Sequence, residues 1–178
     1  MGKYIAILRG INVSGQKLVK MNALKRFMEE LNFKNVSTYI QSGNVIFESE
    51  NNDTHALAEE ISEKISQAYG FQVPAIVLSA FYLSEILHRN PFVNENIDNL
   101  YVTFLSGQPK QELMQKIEPL AYKPDEFLVM GDTIYLKCSN GYGRTKINNN
   151  FFEQKLKLFA TTRNWKTVTK LAEFCHQC

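Results

Sequence analysis

The sequence predicts an α+β fold built from two βαββαβ halves in tandem and a final helix. Three observations carry this reading. Short runs rich in β-branched and aromatic residues alternate with stretches whose apolar residues recur at helical spacing. Their order is strand, helix, strand, strand, helix, strand, twice over. Two strand pairs are joined across glycine-containing dipeptides, Ser42-Gly43 and Gly131-Asp132, which carry the chemistry of tight hairpins. After the second set, Val168, Leu171, Ala172 and Cys175 fall at i, i+3, i+4 and i+7, one apolar face of a closing helix. The order within each half is the ferredoxin-like one. The halves are expected at residues 1–90 and 91–178, with the boundary near Pro91.

Taken in order, Lys3 to Leu8 reads as a strand buried on both faces, ended by Arg9-Gly10-Ile11-Asn12. A Gly-containing polar loop runs to Lys20. Met21, Leu24, Phe27, Met28 and Leu31 then share one helix face, with Asn32 as the stop. The runs VSTYIQ and NVIFES form a hairpin across Ser42-Gly43. A two-residue turn sets Gln41 opposite Asn44 and Tyr39 opposite Ile46. Val36, Thr38, Ile40, Val45 and Phe47 then lie on one apolar face. Asn52-Asp53-Thr54 offers caps for a helix with Leu57, Ile61 and Ile65 inward, closed by Gly70. Gln72 to Leu78 is a strand whose Pro74 demands a sheet edge. In the second half, Leu100 to Leu105 is a strand, and Pro109 opens a helix carrying Leu113, Ile117 and Leu120. Glu126 to Met130 and Thr133 to Cys138 make the second hairpin. A helix from Asn149 to Phe159, a strand over 160–164 and a helix with Trp165 in its first turn complete the chain.

With 44% hydrophobic and 21% charged residues, the composition is that of a soluble globular protein, and no apolar run is long enough to span a bilayer. Met1-Gly2-Lys3-Tyr4 leads straight into a strand, and Ala6 stands where myristoylation wants Ser or Thr. A cytoplasmic protein with no membrane partner is expected. Three cysteines cannot make a complete disulfide framework. Cys175 and Cys178 have C-x-x-C spacing, but Cys175 falls on the apolar helix face and no second pair exists, so no metal is expected. Nor does the order of His55, His88 and His176 propose a catalytic triad.

Charge is uneven. Residues 1–28 carry six Lys/Arg and no acids, residues 29–141 carry seven against sixteen acids, and residues 142–178 carry seven against two. Two basic ends flank an acidic middle, which either builds an anion-attracting surface or only neutralises itself across the fold.

Three places could hold a ligand. The end of the first strand neighbours the start of the third, so Arg9 and Asn12 meet Gln41, Ser42 and Asn44 at one sheet edge. One guanidinium, three amides and a hydroxyl suit an oxyanion or a base, and equally they suit a structural tie between loop and hairpin. Asn140-Gly141-Tyr142-Gly143-Arg144-Thr145-Lys146 follows a strand and precedes a helix, as a phosphate loop would. It lacks the third glycine of the dinucleotide fingerprint, and only Tyr142 matches the aromatic segment of RNA-recognition motifs. Arg163-Asn164 offers a guanidinium and a capped helix start, with Trp165 alongside, either as an anion site or as core packing.

The runs LRGINVSGQKLVKM, TYIQSGNVIFES and TTRNWKTVTKLAE closely resemble one bacterial family, domain of unknown function 1697, over nearly the whole chain. The resemblance implies two linked ferredoxin-like halves and no assigned activity, catalytic residue or cofactor. One departure is Ser14, where the family usually has a Gly-Gly pair. The leading expectation is a binding protein for a phosphate-bearing ligand, nucleotide or nucleic acid. The residues named for it are Arg9, Asn12, Gln41, Ser42, Asn44, Arg144, Lys146, Arg163 and Asn164. The alternatives are an enzyme on a small anionic substrate, and an interaction module without a ligand site.

Overall fold

The computed structural model describes residues 1–117 and 122–176. It divides into two compact units, Met1–Glu85 with Leu171–Cys178, and Ile86–Lys170. The first unit contains β1 (Gly2–Leu8), α1 (Met21–Glu30), β2 (Lys34–Tyr39), β3 (Asn44–Ser49), α2 (Thr54–Tyr69) and β4 (Ala75–Ser79), and α3 (Ala80–His88) begins in it. Its antiparallel sheet has the order β2-β3-β1-β4, so the first strand sits beside the third, as the ferredoxin-like pattern requires. Pro74 directly precedes β4, an edge strand. Asp53 caps α2 by accepting from the N–H groups of His55 and Ala56, at 3.0 and 3.1 Å.

Tyr4, Ala6 and Leu8 of β1 point to a core shared with Leu24 and Met28 of α1 and Leu57, Ile61 and Ile65 of α2. Val36, Val45 and Phe47 join it, with Phe33 stacked on Phe47 at 4.4 Å. Ile5 and Ile7 alternate to the other face and are also fully buried, so β1 is covered on both sides.

The second unit repeats the order with β5 (Leu100–Leu105), α4 (Gln111–Met114), β6 (Glu126–Met130), β7 (Thr133–Lys137), α5 (Asn149–Leu156) and β8 (Ala160–Asn164). Its sheet runs β6-β7-β5-β8. The core gathers Leu105, Ile117, Ile134, Leu136, Ile147, Phe152, Leu156 and Ala160. A final helix, α6 (Trp165–His176), starts in this unit and ends in the first. Its last turns lie on the first unit: Lys3 Nζ donates to the Cys175 carbonyl at 3.1 Å, and Phe174 meets Tyr39 edge-on at 5.3 Å.

Three sequence expectations are corrected. The β2–β3 connection is not the two residues Ser42-Gly43 but four, Ile40 to Gly43, and Tyr39 pairs with Asn44 rather than Ile46. The register moves by two residues, which preserves side-chain parity, so Val36, Val45 and Phe47 still face the core. Ile40 leaves the strand, takes a left-handed φ of 50° and is 49% exposed. The helix expected after Pro109 is the four residues of α4 followed by turn, with no side-chain cap at Lys110. Ile117 still reaches the core, and Leu120 lies outside the described residues. Helix α5 stops at Leu156 instead of Phe159. Lys157 turns left-handed, and the next N–H groups are taken by side chains, Phe159 by Ser106 Oγ and Ala160 by Glu153 Oε1.

Cys138 and Cys175 are free and buried. Burial pushes each thiol up from 9.0 to about 11, with Asp125 adding to the effect at Cys138. Both should therefore resist iodoacetamide at neutral pH in the folded chain and label only in denaturant, as read by peptide mapping. The folded thiols hold their protons to higher pH than the unfolded ones. Their contribution to stability is thus complete below pH 9.0 and falls away as pH rises towards 11, so the melting temperature should decline across that window.

Candidate functional site

The end of β1, the loop 9–20 and the β2–β3 turn are fastened into one platform. Leu8 N–H donates to the Gly43 carbonyl at 2.8 Å, and Arg9 N–H to that of Pro74 at 2.9 Å. Asn12 is the main tie. Its Nδ2 donates to the carbonyls of Val19 (2.9 Å) and Gln41 (2.8 Å), while its Oδ1 accepts from Val19 N–H at 2.8 Å. Between these anchors the chain forms a small β-finger. Val13 bridges Gln16, Asn12 N–H bonds to the Lys17 carbonyl at 3.2 Å, and Ser14 and Gly15 both have positive φ, 51° and 74°. That is the turn conformation whose twist suits a two-residue hairpin. Lys17 anchors the finger's far side through the Gln72 carbonyl at 2.7 Å, with its ammonium 5.9 Å from the centroid of the Phe71 ring.

Five of the expected ligand residues therefore meet, though in different roles. Asn44 is fully buried, and its Nδ2 donates to the Tyr39 carbonyl (3.0 Å) and to Ser42 Oγ (2.9 Å), so it holds the turn. Asn12 likewise spends its amide on the loop. Gln41 is exposed, and Arg9 and Ser42 are half-buried. Lys17 and Lys20, which sequence reasoning passed over as loop, stand exposed on the same platform. The available signal was Ser14-Gly15, a hairpin dipeptide flanked by basic residues. Neither the stretch 1–28 nor the stretch 31–47 contains a carboxylate.

In the second unit, residues 142–144 form one turn of 3₁₀ helix after β7, off the sheet, so Tyr142 does not occupy the strand position of an RNA-recognition aromatic. Its hydroxyl accepts from Asn149 N–H and donates to Thr162 Oγ1, both at 3.0 Å. Thr162 in turn donates to Asn149 Oδ1 at 2.6 Å, and Thr103 Oγ1 lies 2.6 Å away. This chain of hydroxyls pins the loop and leaves Arg144 and Lys146 exposed beside it. Arg163, one residue on from Thr162, projects to the opposite face of the sheet. It is 9% exposed and donates to Thr161 Oγ1 and the Thr162 carbonyl at 3.0 and 2.9 Å. Asn164 Oδ1 accepts from Thr167 N–H at 2.8 Å, so the start of α6 is capped by its own chain. Trp165 is half-buried.

Among the described residues no group of three or more His, Cys, Asp or Glu side chains is arranged to hold a metal ion. Ser84 Oγ lies 3.0 Å from His176 Nε2, a pairing across 92 residues that the sequence hid. No third group among the described residues orients the ring through its other nitrogen, so the pair lacks the support a nucleophile and base require.

The fold places the chain among α+β proteins built from two ferredoxin-like βαββαβ units in tandem. The family model described as "Protein of unknown function (DUF1697)" matches residues 1–135, and the chain belongs to that family. Among solved structures, the conserved bacterial protein SP0830 from Streptococcus pneumoniae is similar. It is 24% identical, with 98% of each chain covered and a TM-score of 0.78, a likeness of fold. No curated protein matches the chain. No helix among the described residues is long and apolar enough to cross a membrane.

Proposed function

We propose that the first unit binds a phosphate-bearing ligand, nucleotide or nucleic acid, on the platform formed by the loop 9–20 and the β2–β3 turn. The observation that carries this is the pairing of rigidity with sign. Asn12 and the Leu8–Gly43 bond fix the two loops together, and the platform then presents Arg9, Lys17, Lys20, Gln41 and Ser42 with no acid in either segment. Fixed cations near neutral hydrogen-bonding groups recognise phosphate oxygens without a reorganisation cost. Asn12 and Asn44 act as positioning residues, holding the loop and the turn. Arg144 and Lys146, exposed on a pinned loop, form an anion-attracting surface of the second unit. Buried Arg163 and capping Asn164 belong to the scaffold there.

Anisotropy titrations with a labelled oligonucleotide and with a mononucleotide test this. Lys20→Glu suits the purpose, since Lys20 sits exposed at the start of α1 and makes no side-chain capping bond. A charge-assisted hydrogen bond contributes roughly 1.5–3 kcal/mol, so the substitution should weaken binding about tenfold or more. Affinity for the oligonucleotide should also fall steeply with salt. Flat titrations for both ligands, or an affinity indifferent to Lys20→Glu and Arg9→Ala together, would overturn the assignment.

A further inference from the structure

We propose that β6 is a self-association edge, at which two copies of this chain pair antiparallel about Leu128. β6 is the end strand of the second sheet and pairs with β7 alone. Its Phe127 and Val129 pack on the core of the unit, while Leu128 and Met130 alternate outward and stay 45% and 37% exposed. A solvent-facing strand position ordinarily carries a polar residue, and an apolar end strand is a template for further pairing.

The other sheet edges carry the features that discourage such pairing. β2 has a register irregularity between Lys34 and Ser37, with Asn35 at a left-handed φ of 50°. β4 is entered through Pro74, and the first N–H of the strand, on Ala75, is held by Ser62 Oγ. On β8, Glu153 takes the Ala160 N–H and Arg163 lies within the strand. β6 has a regular register throughout and contains no Pro, Gly, Lys or Arg.

What favours a second copy as the occupant is the strand's own pattern. Centred on Leu128, an antiparallel pair sets Leu128 against Leu128 of the second copy and Phe127 against Val129 of the second copy. Glu126 faces Met130 of the second copy, so no like charges oppose one another, and Lys137 already neutralises Glu126 at 2.8 Å. An interface of this kind is isologous and closes at two. Because the edge is only five residues long, association is weak and visible only at high concentration.

Sedimentation velocity from about 10 µM to about 1 mM reads it. Wild-type protein should move from monomer to dimer across that range. Leu128→Glu and Leu128→Lys each place like charges on the two-fold axis and should stay monomeric, while an equimolar mixture of the two should dimerise. Unchanged circular dichroism and melting in each variant confirm that the fold is intact. A wild-type protein that is monomeric throughout, as an edge reserved for another protein's peptide would give, overturns the proposal. So does a dimer that survives both substitutions, or a mixture that fails to associate.

Discussion

Gly43→Ala should lower the melting temperature by about 5–15 °C, the largest loss expected from removing no interaction at all. Two separate effects add at this position. The backbone sits at φ +79°, where a side chain costs about 1 kcal/mol relative to glycine. A Cβ there would also stand 2.7 Å from Ile11 Cδ1 and 2.8 Å from Leu8 Cβ, inside a fully buried contact. Overpacking of this kind costs about 1–3 kcal/mol more. The total of about 2–4 kcal/mol corresponds to that shift for a chain of this size. Gly15→Ala is the matched control, because Gly15 has nearly the same φ, +74°, with nothing within 4 Å of its missing Cβ. It should lose only the strain component, about 1 kcal/mol. Equal losses at the two glycines in thermal melts would show that the close approach of the turn to β1 plays no part.

The two hairpins show how far local chemistry determines structure. At Gly131-Asp132 the two-residue turn is the observed one, Met130 pairing with Thr133, and Leu105 N–H, which donates to the Asp132 carbonyl at 2.9 Å, continues the β5–β7 ladder without shifting the turn. At Ser42-Gly43 the same reading fails by two residues. Asn44 uses its side chain to close a four-residue turn, Gly43 packs under Ile11, and Ile40 is held in a conformation that a β-branched residue adopts only under tertiary constraint. Periodicity survived this shift because an even slip leaves every side chain on its own face. Strand and helix order was legible for the same reason: it depends on burial patterns of period two and 3.6, not on individual bonds.

The candidate site was legible as a neighbourhood and illegible as a set of roles. Ferredoxin-like topology alone places the end of β1 beside the start of β3, which brings Arg9 and Asn12 to Gln41 and Ser42. Whether an amide faces a ligand or its own backbone depends on distances of a few tenths of an ångström. Asn12 and Asn44 turned inward, while the cations that remain exposed include Lys17 and Lys20 from a loop with no apolar periodicity to mark it. Arg163 donates to the neighbouring Thr161 hydroxyl and Thr162 carbonyl, groups that the sequence does not distinguish from a flexible polar linker.

Asn12→Asp should separate the tie from the ligand. The substitution is nearly isosteric and keeps the acceptor used by Val19 N–H, but it removes both donors and sets a carboxylate against the carbonyls of Val19 and Gln41. Each lost bond is worth about 1 kcal/mol, and acceptor facing acceptor adds to the cost, for a total of about 2–4 kcal/mol. The expected fall in melting temperature is about 5–15 °C at neutral pH. Both carbonyls disfavour the anion, so the folded-state pKa of the introduced carboxyl is raised above its unfolded value. Stability is then best below the unfolded pKa, where the group is protonated and donates one bond, and it is lost as pH rises through the folded pKa. The gap to wild type should accordingly narrow in acid, whereas for Asn12→Ala, which has no proton to regain, it should stay constant. Asn12→Gly completes the series: it accepts the left-handed φ of 55° without strain and loses only the three side-chain bonds. If Asn12 positions the platform, all three variants should weaken oligonucleotide binding, and Asn12→Gly, which changes no charge, should leave its salt dependence unaltered. A narrowing gap for Asn12→Ala, or full affinity in Asn12→Gly, would remove Asn12 from the role of tie.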